Sequence, residues 1–188
     1  SWEMGMKYTR FSLGLAAAVA LSVVGTAEIA VAEETIFLPG LTYRTGPYAP
    51  NGIPFSNGFA DYINLINERD GGVGGVKLVY EECETGYNTK VGVECYEKMK
   101  SRNPPVIIPN STGITYQLIP KAPVDKVPIL TIGYGRTTAA DGRVFPWVFN
   151  FPTTYWSQAS AVINYIGSQE GGLQNLKGKK IAHIYHNS

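Results

Sequence analysis

Apolar and polar positions along this chain change period repeatedly, and the changes mark its elements. Val76, Leu78 and Tyr80 alternate with Lys77 and Val79, which predicts a strand over 76–82 in a sheet covered on both faces. Gly86 and Asn88 break that strand, and Asn88 is a suitable N-cap for a helix over 89–102. On this helix Val91, Cys95 and Met99 fall at i, i+4 and i+8, one apolar face. Upstream, the apolar run 35–41 predicts a first strand, and the Gly-, Pro- and Tyr-rich stretch 42–54 reads as a loop. Phe59, Tyr62, Ile63 and Ile66 predict a helix over 55–69, closed by Gly71-Gly72.

Downstream, Val106-Ile107-Ile108 is a fully apolar third strand, with 109–113 as the turn at its C-terminal end. A short helix over 114–121, a strand over 127–132, a polar loop over 133–145 and a strand over 147–151 follow. Thr153 or Thr154 caps a helix over 155–170 whose apolar face is Trp156, Ala159, Val162, Ile163 and Ile166. Residues 180–185 begin one more strand. This alternation predicts an α/β fold, a parallel doubly wound sheet with helices on both faces. Ligands of such sheets gather beyond the C-terminal ends of the strands. The loops 45–52, 110–113 and 133–138 lie there, and each combines glycine with hydroxyl, amide or aromatic side chains. They suit a small polar ligand.

The first residues follow another pattern. Lys7 and Arg10 precede the run Leu13 to Val24, which is too short and alanine-rich for a membrane span and fits a secretory signal. Ala30-Val31-Ala32 predicts cleavage before Glu33, with Gly25-Thr26-Ala27 as an earlier alternative and a retained anchor as the competing reading. Residues 1–5 precede Met6 and read as lying upstream of the true start. The expectation is a soluble periplasmic protein. Lys7 and Arg10 account for two of the 16 basic residues, and Glu3 and Glu28 for two of the 15 acidic ones. The remaining chain is therefore balanced, which argues against nucleic acid or a membrane surface as a partner. Cys83 and Cys95 are the only two cysteines. In an oxidising compartment such a pair is expected to be bonded. Two buried thiols or half a metal site are the alternatives, and no histidine or further cysteine nearby supports a metal.

Catalytic chemistry finds no support. Glu81, Glu82 and Glu84 read as solvated carboxylates, and His183 and His186 have no partner at metal-ligand spacing. Neither a nucleophile elbow nor a phosphate-binding loop is present. Gly71 to Gly75 follows a helix and precedes a strand, the reverse of the order a phosphate cradle needs, so it is a connector. The reading is a non-enzyme without cofactor or metal.

With these elements placed, the chain resembles the type I periplasmic substrate-binding proteins of ABC importers, in the leucine/branched-chain amino-acid-binding family. The resemblance rests on Thr45-Gly46-Pro47, the helix from Gly58 to Asn67 ending in Glu68-Arg69-Asp70-Gly71-Gly72, and Gly75-Val76-Lys77-Leu78 with Glu81-Glu82. Ser111-Thr112-Gly113 and residues 176–182 complete it. The resemblance implies a monomeric two-lobed receptor that closes on a small-molecule ligand and docks on an inner-membrane permease. Residues 33–150 would be the N-terminal lobe and 151–188 the crossover and start of an incomplete second lobe. Carried over by position, Ser111 and Thr112 match a turn that binds a ligand carboxylate, and Gly133, Tyr134 and Gly135 a segment that holds an ammonium group. The family's amino-acid binders offer a small pair and then threonine there, whereas Gly135-Arg136 stands here. Thr137 or Thr138 could substitute, or Arg136 could grip an acidic group. Tyr48 and Asn51 match a cleft wall, and His186 the place where a second-lobe strand reaches the cleft. Trp147, Tyr155 and Trp156 read as core or hinge packing. A branched-chain or other neutral amino acid is the implied ligand. Urea, short amides or small aromatic carboxylates, and a sensory rather than transport role, are the alternatives.

Overall fold

The computed structural model describes residues 34–131 and 136–185. The signal reading of residues 1–32 and the expectations on Gly133, Tyr134, Gly135 and His186 lie outside the described residues.

The sheet begins with β1, Thr35–Thr42, paired in parallel with β2, Lys77–Glu84, in a register that sets Thr35 opposite Lys77 and Thr42 opposite Glu84. On the other side of β1, the expected third strand contributes two parallel bridges, Gly40 to Ile108 and Ile107 to Ile129. Those bridges carry the sheet on to β3, Ile129–Leu130, and to β4, Val148–Phe149. In chain order the strand lines therefore run 2-1-3-4-5, all parallel, and the α/β doubly wound reading holds. The order reverses between β1 and the 107–108 segment, so the C-terminal ends of these two lines flank the topological switch point.

Helix α1, Ala49–Arg69, starts six residues earlier than its apolar spacing suggests. Pro50 and Pro54 make the stretch read as a loop, but Pro50 sits in the first turn, where its missing N–H costs nothing. Gly52 is required there, because a Cβ would lie 2.0 Å from the carbonyl oxygen of Tyr43. The helix ends as expected, with Gly71 and Gly72 at positive φ and the Gly72 N–H donating to the Ile66 carbonyl.

Strand β2 runs two residues further than expected, so Cys83 lies in the strand rather than in a turn. It is also not covered on both faces, since Val79 is exposed. Asn88 caps α2, Thr89–Lys100, by accepting from the Val91 N–H. Cys95 and Met99 on its inner face are buried, and Cys95 is bonded to Cys83. Ser111 caps α3, Thr112–Leu118, and a one-turn α4, Ala122–Asp125, leads into β3. Gly92 lets α2 approach α3, because a Cβ there would meet Ile114 Cδ1 at 2.3 Å.

Leu41, Tyr96, Ile107, Ile114, Leu118 and Ile129 are completely buried in one cluster on which Trp147 packs. Each aliphatic side chain of this kind contributes about 1.5–3 kcal/mol of transfer free energy.

Two expectations fail beyond β4. Helix α5, Tyr155–Gln169, forms with Thr154 as its cap, yet its apolar face is uncovered: Trp156 is 73% exposed and Val162 56%. Trp156 is therefore not core packing. Residues 180–185 form no strand: they pair with no strand among the described residues, and Ile184 is 94% exposed.

Candidate ligand-binding cleft

A cleft of about 620 Å³ opens at the switch point. One wall comes from the lobe that carries the sheet: Tyr48 at the N-cap of α1, Tyr87 in the turn after β2, and Thr112 and Tyr116 on α3. The opposite wall comes from Tyr155, Trp156 and Ala159 on α5 and from residues 183–185. Tyr48 and Tyr87 lie with ring centroids 4.4 Å apart, and Tyr43 stands edge-on to Tyr87 at 4.9 Å. Tyr87 adopts φ 62°, a left-handed conformation that turns the chain back after β2. The hydroxyls of Thr112 and Tyr155 are 2.6 Å apart and join the two walls.

The loop that presents Tyr48 is organised by Glu84. Its Oε1 accepts from the Thr45 N–H at 3.2 Å, the Thr45 hydroxyl at 2.9 Å and the Gly86 N–H at 2.9 Å. Its Oε2 accepts from the Arg44 N–H at 2.8 Å and the Thr42 hydroxyl at 3.3 Å. Burial works to raise the Glu84 pKa, but the hydrogen bonds from Arg44, Thr45 and Gly86 outweigh it and hold the carboxyl below its ordinary value. Beside it, Glu82 forms a two-pronged pair with Arg44, Nη2 to Oε1 at 2.7 Å, and Glu81 pairs with Arg102. The three glutamates are thus partnered rather than merely solvated, a role that their clustering in sequence does not disclose.

The expected site residues separate. Thr112 and Tyr48 line the cleft. Ser111 is 2% exposed and caps α3: its Oγ accepts from the Ile114 N–H, and its carbonyl from the Thr115 N–H. Asn51 lies in the first turn of α1, exposed and outside the lining. Arg136 is exposed, its guanidinium 5.7 Å from the centroid of Tyr116 at the margin of the cleft. Sequence reading missed Tyr87, Tyr116, Trp156, His183 and Tyr185 as lining residues; the concentration of tyrosine at strand ends was the available signal. Tyr155, expected as core or hinge packing, has its hydroxyl against that of Thr112. Among the described residues no cluster of His, Cys, Asp or Glu could hold a metal ion, and no helix is long and apolar enough to cross a membrane.

A parallel α/β lobe with an aromatic cleft at its switch point defines a class of ligand-binding domain. The sequence profile of the periplasmic binding protein family matches residues 35–188, and the chain belongs to that family. Its fold is that of a type I periplasmic binding protein lobe, and the family is extracytoplasmic. A crystal structure from the Pseudomonas fluorescens group, described as an ABC transporter permease, shares 48% identity at a TM-score of 0.73, over 83% of this chain and 39% of its own. The substrate-binding protein of an ABC transporter from Aeropyrum pernix shares 25% identity at a TM-score of 0.60, over 72% of this chain and 35% of its own. A fatty acid ABC transporter substrate-binding protein from Thermomonospora curvata is 25% identical at a TM-score of 0.55, over 72% of this chain and 34% of its own. The chain thus spans 39% of the length of the Pseudomonas protein and less of the other two. No curated protein matches the sequence.

Proposed function

We propose that this chain is the first lobe, with the crossover into a second, of the solute-binding component of an ABC importer. The observation that carries the reading is the cleft between Tyr48, Thr112 and Tyr116 on one side and α5 on the other, at the switch point of a lobe of this family. Residues 1–32 serve as an export signal, 33–150 as the first lobe and 151–188 as the crossover and start of the second. The receptor works in the periplasm as a monomer, presents its solute to an inner-membrane permease and catalyses nothing. Its mechanism is closure of the lobes, a population shift driven by ligand contacts to both walls.

The uncovered apolar face of α5 and the unpaired segment 180–185 support the two-lobe reading. Both are surfaces that further sheet and helix would cover. The ligand is a small polar or amphipathic metabolite; the resemblance gives branched-chain or other neutral amino acids, urea or short amides follow, and the tyrosine-rich loops add small aromatic carboxylates.

The test is to purify the complete receptor natively, denature it and identify any released small molecule by mass spectrometry. A stoichiometric solute that restores the native melting temperature when added back is the expected result. A protein that releases nothing, and whose melting temperature responds to no solute, overturns the receptor reading.

A further inference from the structure

Resting on that receptor reading, we propose that the cleft is built for a planar aromatic ring bearing a carboxylate rather than for an aliphatic amino acid. Two features of the walls separate the ligand classes, their shape and their charge.

As to shape, the rings come from separate places in the fold and converge. Tyr48 and Tyr87 form one continuous surface at 4.4 Å and an interplanar angle of 40°. Tyr116 contributes from α3, Tyr155 and Trp156 from α5. Ala159 and Ile184 are the aliphatic members among the lining residues. Flat rings leave slots that match another flat ring, with offset or edge-on contacts at 4.5–7 Å between centroids. A branched aliphatic side chain needs a rounded, methyl-lined pocket, which these walls do not offer.

As to charge, no aspartate or glutamate stands among the described lining residues. The nearest glutamates at that end of the sheet are committed elsewhere, Glu84 to the loop and Glu82 to Arg44. Arg136 sits over the Tyr116 ring at 5.7 Å, so a cation already takes up the negative face of that ring. This disfavours a quaternary ammonium ligand, the other occupant that aromatic walls suit. It places a guanidinium beside Tyr116, next to the lining, from where it can pair fork-fashion with the carboxylate of a ring held against the Tyr48–Tyr87 surface.

Calorimetry on the complete receptor, stripped of any carried-over solute, tests this with benzoate, 4-hydroxybenzoate, L-leucine and choline as probes. The expected result is that at least one of the two aromatic acids binds about tenfold or more tightly than leucine or choline. Tyr116→Leu should weaken that binding about tenfold, while Tyr116→Phe should leave it within about threefold, because stacking needs the ring and not the hydroxyl. Arg136→Gln should weaken the acid but not benzyl alcohol, which lacks the charge. Preference for leucine or choline overturns the aromatic-acid inference and leaves the receptor reading standing. So does a released native solute that carries no ring. A receptor that binds none of the four probes yet releases a solute without an aromatic carboxylate overturns the inference alone, whereas release of another aromatic acid supports it. Loss of probe binding in Tyr116→Phe as well as Tyr116→Leu assigns the effect to the hydroxyl and overturns the stacking argument.

Discussion

Glu84 gathers five hydrogen bonds from the segment that carries the first cleft wall, and it is the side chain whose removal should be felt furthest from itself. Because its folded pKa is depressed, the stability it contributes is fully present above its unfolded value, near 4.5. That contribution is lost as pH falls through the lower folded value. Glu84→Gln should therefore melt below the wild type at pH 7, with the difference shrinking as pH drops below about 4. Thermal unfolding followed at several pH values checks this; a gap that stays constant would mean that the carboxylate's charge plays no part. Sequence showed the clustered carboxylates Glu81, Glu82 and Glu84 but not their partners. Arg44 lies 38 residues from Glu82, and a pairing made by strand register is invisible to local pattern. Tyr48 and Thr112, carried over by position from the resemblance, both fall in the lining of the cleft. Ser111 caps α3 and is buried, a local role that does not by itself bear on whether the turn faces a ligand.

At the scale of elements, the disulfide is the clearest case. Cys83 at the end of β2 and Cys95 in α2 close a short loop around the turn that presents Tyr87. Replacing both by serine should cost roughly 3 kcal/mol of unfolding free energy in the chain-entropy description. Urea denaturation, with and without reductant, measures it; an unchanged midpoint would show that the turn is held without the bond. The elements that sequence reading placed well are those with a cap or a stop of their own, such as α2 behind Asn88 and α1 ahead of Gly71. Those it misplaced depend on something distant. The start of α1 turns on whether Pro50 falls in a first turn, where proline is harmless, or in an interior, where it is not. The strand expected over 127–132 shortens to Ile129–Leu130, because ladder length is set by the partner and not by the apolar run. Helix α5 has the right period and the right cap, but periodicity shows only that a face exists, not what covers it.

For the whole molecule, the 2-1-3-4-5 strand order sets the switch point between β1 and the 107–108 line, and it fixes where the cleft can be. The family and the cleft's position were legible from the order of weak motifs along the chain. The ring-lined character of the cleft was less so, because Tyr87, Tyr116 and Tyr155 meet only after folding. On the two-lobe proposal, a chain of residues 33–188 alone should bind the complete protein's released solute at least about tenfold more weakly than the complete protein does. Calorimetry on the two proteins side by side decides it, and equal affinities would mean that the first lobe and crossover already make the whole site. The same short chain should bind a hydrophobic dye through the Trp156 and Val162 face. The Thr112–Tyr155 hydroxyl pair has a kinetic consequence. It joins the start of α3 to the first residue of α5, so moving these walls apart breaks it. The expected outcome is that a solute held between these walls leaves the Tyr155→Phe variant faster than the wild type by no more than about fivefold, measured by stopped flow, since one exposed hydroxyl pair is worth about 1 kcal/mol.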